Sequence, residues 1–146
     1  MNVIIDTNLW ISFLIGKKLS VMRALFTNPE IRIYVCDELL DEFADVSSRL
    51  KIRKYITDDD VQETYKLMDK YCSYVPIGKK AASSVRDEKD LYLLSLAETV
   101  PVDFILTGDK DLLALQSHNQ TKIVTYNEFT AIIGTQIKET IRIFQH

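Results

Sequence analysis

Two short apolar runs, each followed without a spacer by residues that start helices, constrain this chain more than any other feature. Val3, Ile4 and Ile5 lead straight into Asp6-Thr7-Asn8, and Phe104, Ile105 and Leu106 lead straight into Thr107-Gly108-Asp109. A buried run of that kind fits a parallel strand, and Asp, Thr and Asn are N-cap types. A strand that passes at once into a helix is one half of a βαβ unit.

The theme recurs along the chain. Leu9, Trp10, Phe13 and Leu14 repeat at helical spacing, Gly16 punctuates them, and Leu19, Met22, Leu25 and Phe26 form a second apolar stretch ended by Asn28-Pro29. A second strand is expected over Ile31 to Cys36, then a helix capped by Asp37 with Leu39, Leu40, Phe43 and Val46 inward. Thr57 and Asp60 form a capping pair ahead of a helix through Val61, Tyr65 and Met68. Tyr74 to Ile77 is read as a third strand, closed by Gly78 and a polar loop leading to Asp87. Leu91, Leu94 and Ala97 mark the next helix, Leu112 to Gln116 a short one, Ile123 to Tyr126 the last strand, and Asn127 the cap of a closing helix. Strands alternating with helices place the chain in the α/β class, with helices on both faces of one sheet.

At 146 residues the length fits one domain. The expected division is residues 1–134 as the folded domain and 135–146 as a C-terminal extension, amphipathic at Ile137, Ile141 and Phe144. Composition is that of an ordinary globular chain, 47% hydrophobic and 27% charged. No apolar run approaches the roughly 18 residues that span a bilayer, and no basic segment precedes an apolar one at Met1 to Asp6; a cytoplasmic protein without membrane association is expected. Cys36 and Cys72 are far apart and form neither a disulfide framework nor a zinc spacing. The net charge of -3 lacks the broad positive field of a protein that grips nucleic acid mainly by its phosphates. Basic residues are instead local, at Lys17 and Lys18, at Arg49, Lys51, Arg53 and Lys54, and at Lys79 and Lys80.

The acids carry the chemistry. In an open parallel sheet, ligands bind beyond the carboxyl ends of the strands, where the strand order switches. Asp6 and Asp109 emerge at one such edge if their strands are neighbours. Asp87 and Asp90, three residues apart at the start of a helix, share one helical face, and Glu42 lies about one and a half turns into the helix after strand two. Capping alone accounts for Asp6, Asp87 and Asp109 taken singly, and helix-surface polarity for Asp90 and Glu42. Carboxylates gathered at one rim repel one another unless a cation neutralises them or some are protonated. An oxygen-only set favours Mg²⁺ or Mn²⁺ over zinc, and such an ion supports phosphodiester hydrolysis.

The runs Val3-Ile4-Ile5-Asp6-Thr7-Asn8-Leu9-Trp10-Ile11, Glu38-Leu39-Leu40-Asp41-Glu42-Phe43, Asp87-Glu88-Lys89-Asp90 and Leu106-Thr107-Gly108-Asp109-Lys110-Asp111-Leu112, in this order, resemble a PIN domain over residues 1 to about 134. Within that family the chain is similar to toxin components of bacterial toxin–antitoxin pairs. The resemblance implies a three-layer α/β/α sandwich around a parallel, roughly five-stranded sheet, Mg²⁺ or Mn²⁺ in an acidic cleft, and single-stranded RNA as substrate. It makes Asp6, Glu42, Asp90 and Asp109 the catalytic, metal-binding acids, Asn8 and Thr107 supporting polar residues, and Asp87 and Asp111 auxiliary acids. It also implies attack of an ion-activated water on the scissile phosphate to leave a 5′-phosphate and a 3′-hydroxyl, a homodimer, and a small antitoxin partner. The chain departs from the family pattern at Cys36-Asp37, where relatives often carry a small hydroxyl residue. Two rivals are a catalytically silent binding or assembly module on the same fold and a phosphoacceptor signalling domain. The latter needs an acceptor Asp after the middle strand and a Lys after the last, where this chain has Gly78 and Asn127.

Overall fold

The computed structural model describes residues 1–77 and 88–144. The chain opens with β1 (Asn2–Ile5), α1 (Thr7–Ile15), α2 (Leu19–Thr27), β2 (Arg32–Val35) and α3 (Asp37–Ser48). A short α4 (Leu50–Arg53), then α5 (Asp58–Tyr71) and β3 (Ser73–Tyr74), complete the part before residue 78. After residue 87 come α6 (Glu88–Thr99), β4 (Phe104–Leu106), α7 (Lys110–Leu115), β5 (Ser117–His118), β6 (Thr121–Val124) and α8 (Tyr126–Phe144).

The strands form one sheet in the order β3-β2-β1-β4-β6-β5. All pairs are parallel except the hairpin of β5 with β6. The expected sandwich architecture is present, and its parallel sheet gains a sixth, two-residue antiparallel strand. Ser117 and His118 carry no strand-like pattern; the hairpin closes because Gln116 and Asn119 take φ of 63° and 54°, and Asn tolerates the left-handed region.

Register brings the two strands singled out from the sequence side by side, Val3 opposite Phe104 and Ile5 opposite Leu106. β1 therefore has β2, its successor, on one side and β4, reached by a long crossover, on the other. That is the switch point of the sheet, and the crevice beyond Ile5 and Leu106 is the ligand position of such folds.

The core sits on both faces of β1 and β4. Ile4, Ile105 and Leu106 are fully buried, as are Leu93, Leu94 and Leu96 of α6. Trp10 is locked by packing against Phe26 at 5.0 Å and by its indole N–H, which donates to the Ile5 carbonyl at 2.7 Å. That bond satisfies a carbonyl at the end of a strand, where the ladder no longer does so.

Local details differ from expectation in four places. The last strand, expected over Ile123 to Tyr126, is β6 at Thr121–Val124, because α8 already begins at Tyr126 behind its Thr125 cap. Asp37 does not cap α3; it is the first helical residue, the N-cap Cys36 makes no side-chain bond, and the Asp37 carboxylate accepts from the Tyr74 hydroxyl at 2.8 Å. Thr125 rather than Asn127 caps α8, accepting from the Glu128 N–H at 3.1 Å. The third strand ends at Tyr74, although Val75 still donates to the Val35 carbonyl at 2.9 Å. The capping box of Thr57 and Asp60 forms as expected.

Candidate functional site

The switch point is built from the ends of β1 and β4. Asp6 is the N-cap of α1, and its own N–H still belongs to the sheet, donating to the Leu106 carbonyl at 2.9 Å. Backbone pairing thus fixes the residue that carries the acid. The residue is 3% exposed, unusual for an acid, and its carboxylate accepts the Thr107 hydroxyl at 2.7 Å and the Asn8 N–H at 3.5 Å. Thr107 is itself buried and works in both directions, since its oxygen accepts the Asp109 N–H at 3.0 Å. Asp109 caps α7, receiving the N–H groups of Asp111 at 2.7 Å and Leu112 at 3.1 Å. Asp6, Thr107 and Asp109 therefore form one hydrogen-bonded chain across the switch point.

Glu42 reaches the same place from α3. Its carboxylate accepts the hydroxyl of Tyr92 on α6 at 2.5 Å, and that hydroxyl lies 3.4 Å from Thr7 Oγ1, the residue after Asp6. Burial raises the Asp6 pKa above the ordinary carboxylate value; the Thr107 and Asn8 hydrogen bonds pull it down, while the charges of Glu42 and Asp109 push it up. Mutual repulsion is thus visible at Asp6 from two other acids. Burial and the bond to Glu42 push the Tyr92 phenol far up, so it remains a donor.

The other expected residues are placed as follows. Asp90 stands half-buried in the first turn of α6. Asn8 and Asp111 have exposed side chains, and the contacts seen from them to Asp6 and Asp109 are made by their backbone N–H groups. Asp87 lies outside the described residues, as do Gly78, Lys79 and Lys80. Two of the basic clusters meet, because Lys17 Nζ donates to the Tyr55 carbonyl at 2.8 Å next to Lys54. Arg49 pairs with Asp45 at 2.9 Å and Arg53 pairs with Asp58, which reduces that patch.

Tyr92 is the residue that sequence reasoning missed. Among Leu91, Leu93 and Leu94 it reads as one more apolar position, and only its hydroxyl, which periodicity ignores, sets it apart.

The donor set suits a hard divalent cation, being all oxygen: the carboxylates of Asp6, Glu42 and Asp109 and the Thr107 hydroxyl. Among the described residues, no three His, Cys, Asp or Glu side chains stand close enough together to hold an ion. The acids are gathered to within mutual repulsion, which a cation would relieve, rather than to ligand distance.

Thr107→Val keeps the shape and removes both hydrogen bonds. Loss of about 1–3 kcal/mol is expected from the unsatisfied Asp6 carboxylate and Asp109 N–H. A urea-unfolding midpoint equal to that of the parent would show that this chain of bonds contributes nothing.

Comparison with known proteins agrees with this fold. No curated protein matches the chain. Among solved structures it is similar to a chain of VapBC2 from Rickettsia felis bound to a DNA fragment from their promoter, with a TM-score of 0.53 at 14% identity. The match covers 84% of this chain and 97% of that one, and at such identity it speaks for the fold. A family model, the PIN domain, matches residues 2–111, a span that contains Asp6, Glu42, Asp90 and Asp109. The chain belongs to the PIN-domain family.

Proposed function

We propose that the chain is a divalent-cation-dependent ribonuclease that hydrolyses phosphodiester bonds of single-stranded RNA and serves as the toxin of a toxin–antitoxin pair. The observation that carries this reading is the buried Asp6 carboxylate at the switch point, hydrogen-bonded to Thr107 and repelled by Glu42 and Asp109. A structural cap has no need of burial beside two further acids. Asp6, Glu42, Asp90 and Asp109 hold Mg²⁺ or Mn²⁺ in this reading, with Asn8, Asp87, Thr107 and Asp111 in support.

When bound, the cation neutralises charge at the scissile phosphate and lowers the pKa of water. The chain's own residues supply orientation. Thr107 and the Asn8 N–H aim the Asp6 carboxylate, the start of α7 fixes Asp109, and Tyr92 ties Glu42 to the same crevice. Oxygen ligands held by backbone-anchored groups need little reorganisation, the condition under which electrostatic stabilisation is most effective.

The toxin role draws support from the family and from the likeness to a chain of VapBC2. An antitoxin partner, a homodimer and a cytoplasmic location go with it. Among the described residues no helix is long and apolar enough to cross a membrane. The rival reading, a silent module on the same fold, is less well supported because the expected acids are retained in the sequence.

The test is cleavage of a labelled single-stranded RNA. Activity is expected with Mg²⁺ or Mn²⁺, loss with EDTA, and loss of at least about a hundredfold in Glu42→Gln with the fold intact by circular dichroism. Undiminished cleavage by Glu42→Gln would rule out this site as its source.

A further inference from the structure

We propose that Tyr92 is a positioning residue of the acidic site, its hydroxyl holding the Glu42 carboxylate toward Thr7 and Asp6 and so setting how tightly the site takes up a divalent cation; this rests on the metal-dependent reading above.

The geometry is a bridge between helices. Tyr92 stands on α6, Glu42 on α3 and Thr7 on the first turn of α1, and the Tyr92 hydroxyl touches both of the others, at 2.5 Å and 3.4 Å. A phenol has one proton, so with that proton given to Glu42 the Thr7 contact is completed by the Thr7 hydroxyl donating to the Tyr92 oxygen. The relay Thr7 to Tyr92 to Glu42 has a fixed direction and ends on a carboxylate.

Glu42 needs such a tether. A glutamate has three side-chain torsions, and one lying on a helix has several rotamers that point away from the crevice. Asp6 and Asp109 have short side chains that accept backbone N–H groups of their own helices, Asp6 with the Thr107 hydroxyl besides, whereas the hydrogen bond seen on the longer Glu42 comes from the Tyr92 side chain. Tyr92 is a rigid ring with two torsions, half-buried on a helix whose neighbours Leu93 and Leu94 are fully buried. Carboxylates that ligate metals are commonly oriented by outer hydrogen bonds of this kind, and loss of one such partner weakens metal binding by about 10- to 100-fold.

The experiment is calorimetric titration of Mn²⁺ into the full chain without RNA, for the parent, Tyr92→Phe, Glu42→Gln and the double variant. Tyr92→Phe is expected to bind Mn²⁺ at least about tenfold more weakly, with the fold retained in EDTA by circular dichroism. In the Glu42→Gln background the same substitution should add little, because its partner is already altered. Equal affinity of parent and Tyr92→Phe would overturn the proposal, and so would an undiminished effect in the double variant, which would mean that Tyr92 acts by packing. Should Tyr92→Phe fold poorly, Thr7→Val tests the other end of the relay and is expected to weaken Mn²⁺ binding in the same direction. A protein that bound Mn²⁺ but cut no RNA would overturn the nuclease reading and still decide this one; a parent that bound no Mn²⁺ would overturn both.

Discussion

Asp6→Asn is expected to reduce RNA cleavage at least about a hundredfold and, in the same protein, to raise the melting temperature. The two effects share one cause. The Asp6 carboxyl is held above its ordinary pKa by burial and by the charges of Glu42 and Asp109, against the opposing hydrogen bonds of Thr107 and Asn8. A group whose pKa is raised on folding contributes favourably while it is protonated, and that contribution is lost as pH rises through the folded value. As pH rises, ionising Asp6 in the folded protein therefore carries a cost that asparagine does not impose. The asparagine oxygen can take over the bond from the Asn8 N–H, so the cap survives, while its amide nitrogen stands in place of the other carboxylate oxygen and faces the Thr107 hydroxyl as a donor. Each kcal/mol relieved corresponds to roughly 2–4 °C for a chain of this size. The gain over the parent, measured in EDTA, should be smallest near pH 4 and grow toward pH 7. A variant less stable than the parent across that range would show that Asp6 is a structural acid, and the site argument would fall with it.

This coupling of function to cost is why Asp6 was readable from sequence at all. An acid placed directly after Val3-Ile4-Ile5 has to sit at the edge of a buried sheet, because the strand that precedes it has no polar face. The same logic reached Asp109 through Phe104-Ile105-Leu106 and Thr107 along with it. What the local pattern could state only conditionally was that the two ends meet, since strand pairing is a non-local property. The parallel register of β1 with β4 supplies that step.

Other features were invisible for identifiable reasons. Tyr92 serves the site through a single oxygen on a helix that otherwise reads as apolar. α4 is too short for a period, and Ser117 and His118 pair only because the backbone turns at Asn119. Thr125 and Asn127 are both good caps two residues apart, and the choice fell to Thr125 because the residue three positions on, Glu128, has its N–H at 3.1 Å. Asp37 is likewise a cap type that the chain uses elsewhere, bonding Tyr74 of the edge strand. Where residue type was ambiguous, tertiary contacts decided.

Phe43→Ala is expected to cause the largest loss of stability among these variants, about 3–5 kcal/mol, or a fall in melting temperature of roughly 6–20 °C. Phe43 has no exposed surface and meets Tyr65 edge-on at 5.3 Å and Trp10 at 6.4 Å. It therefore joins α3 to α5 and to α1, the helix that begins at Asp6. Tyr65 is only partly buried and Trp10 is fixed by its indole bond to Ile5, so neither ring can collapse fully into the space left behind. Incomplete collapse places the substitution at the costly end of the range. Phe43 also follows Glu42, so loosening α3 moves an acid of the site, and cleavage by the folded fraction should fall as well. Leu50→Ala is the control, because Leu50 is 87% exposed and its loss is expected to change stability by less than about 0.5 kcal/mol. Urea unfolding of both variants checks the pair. A Phe43→Ala protein within about 1 kcal/mol of the parent would mean that the joint between α1 and α3 is not what positions Glu42 against Asp6.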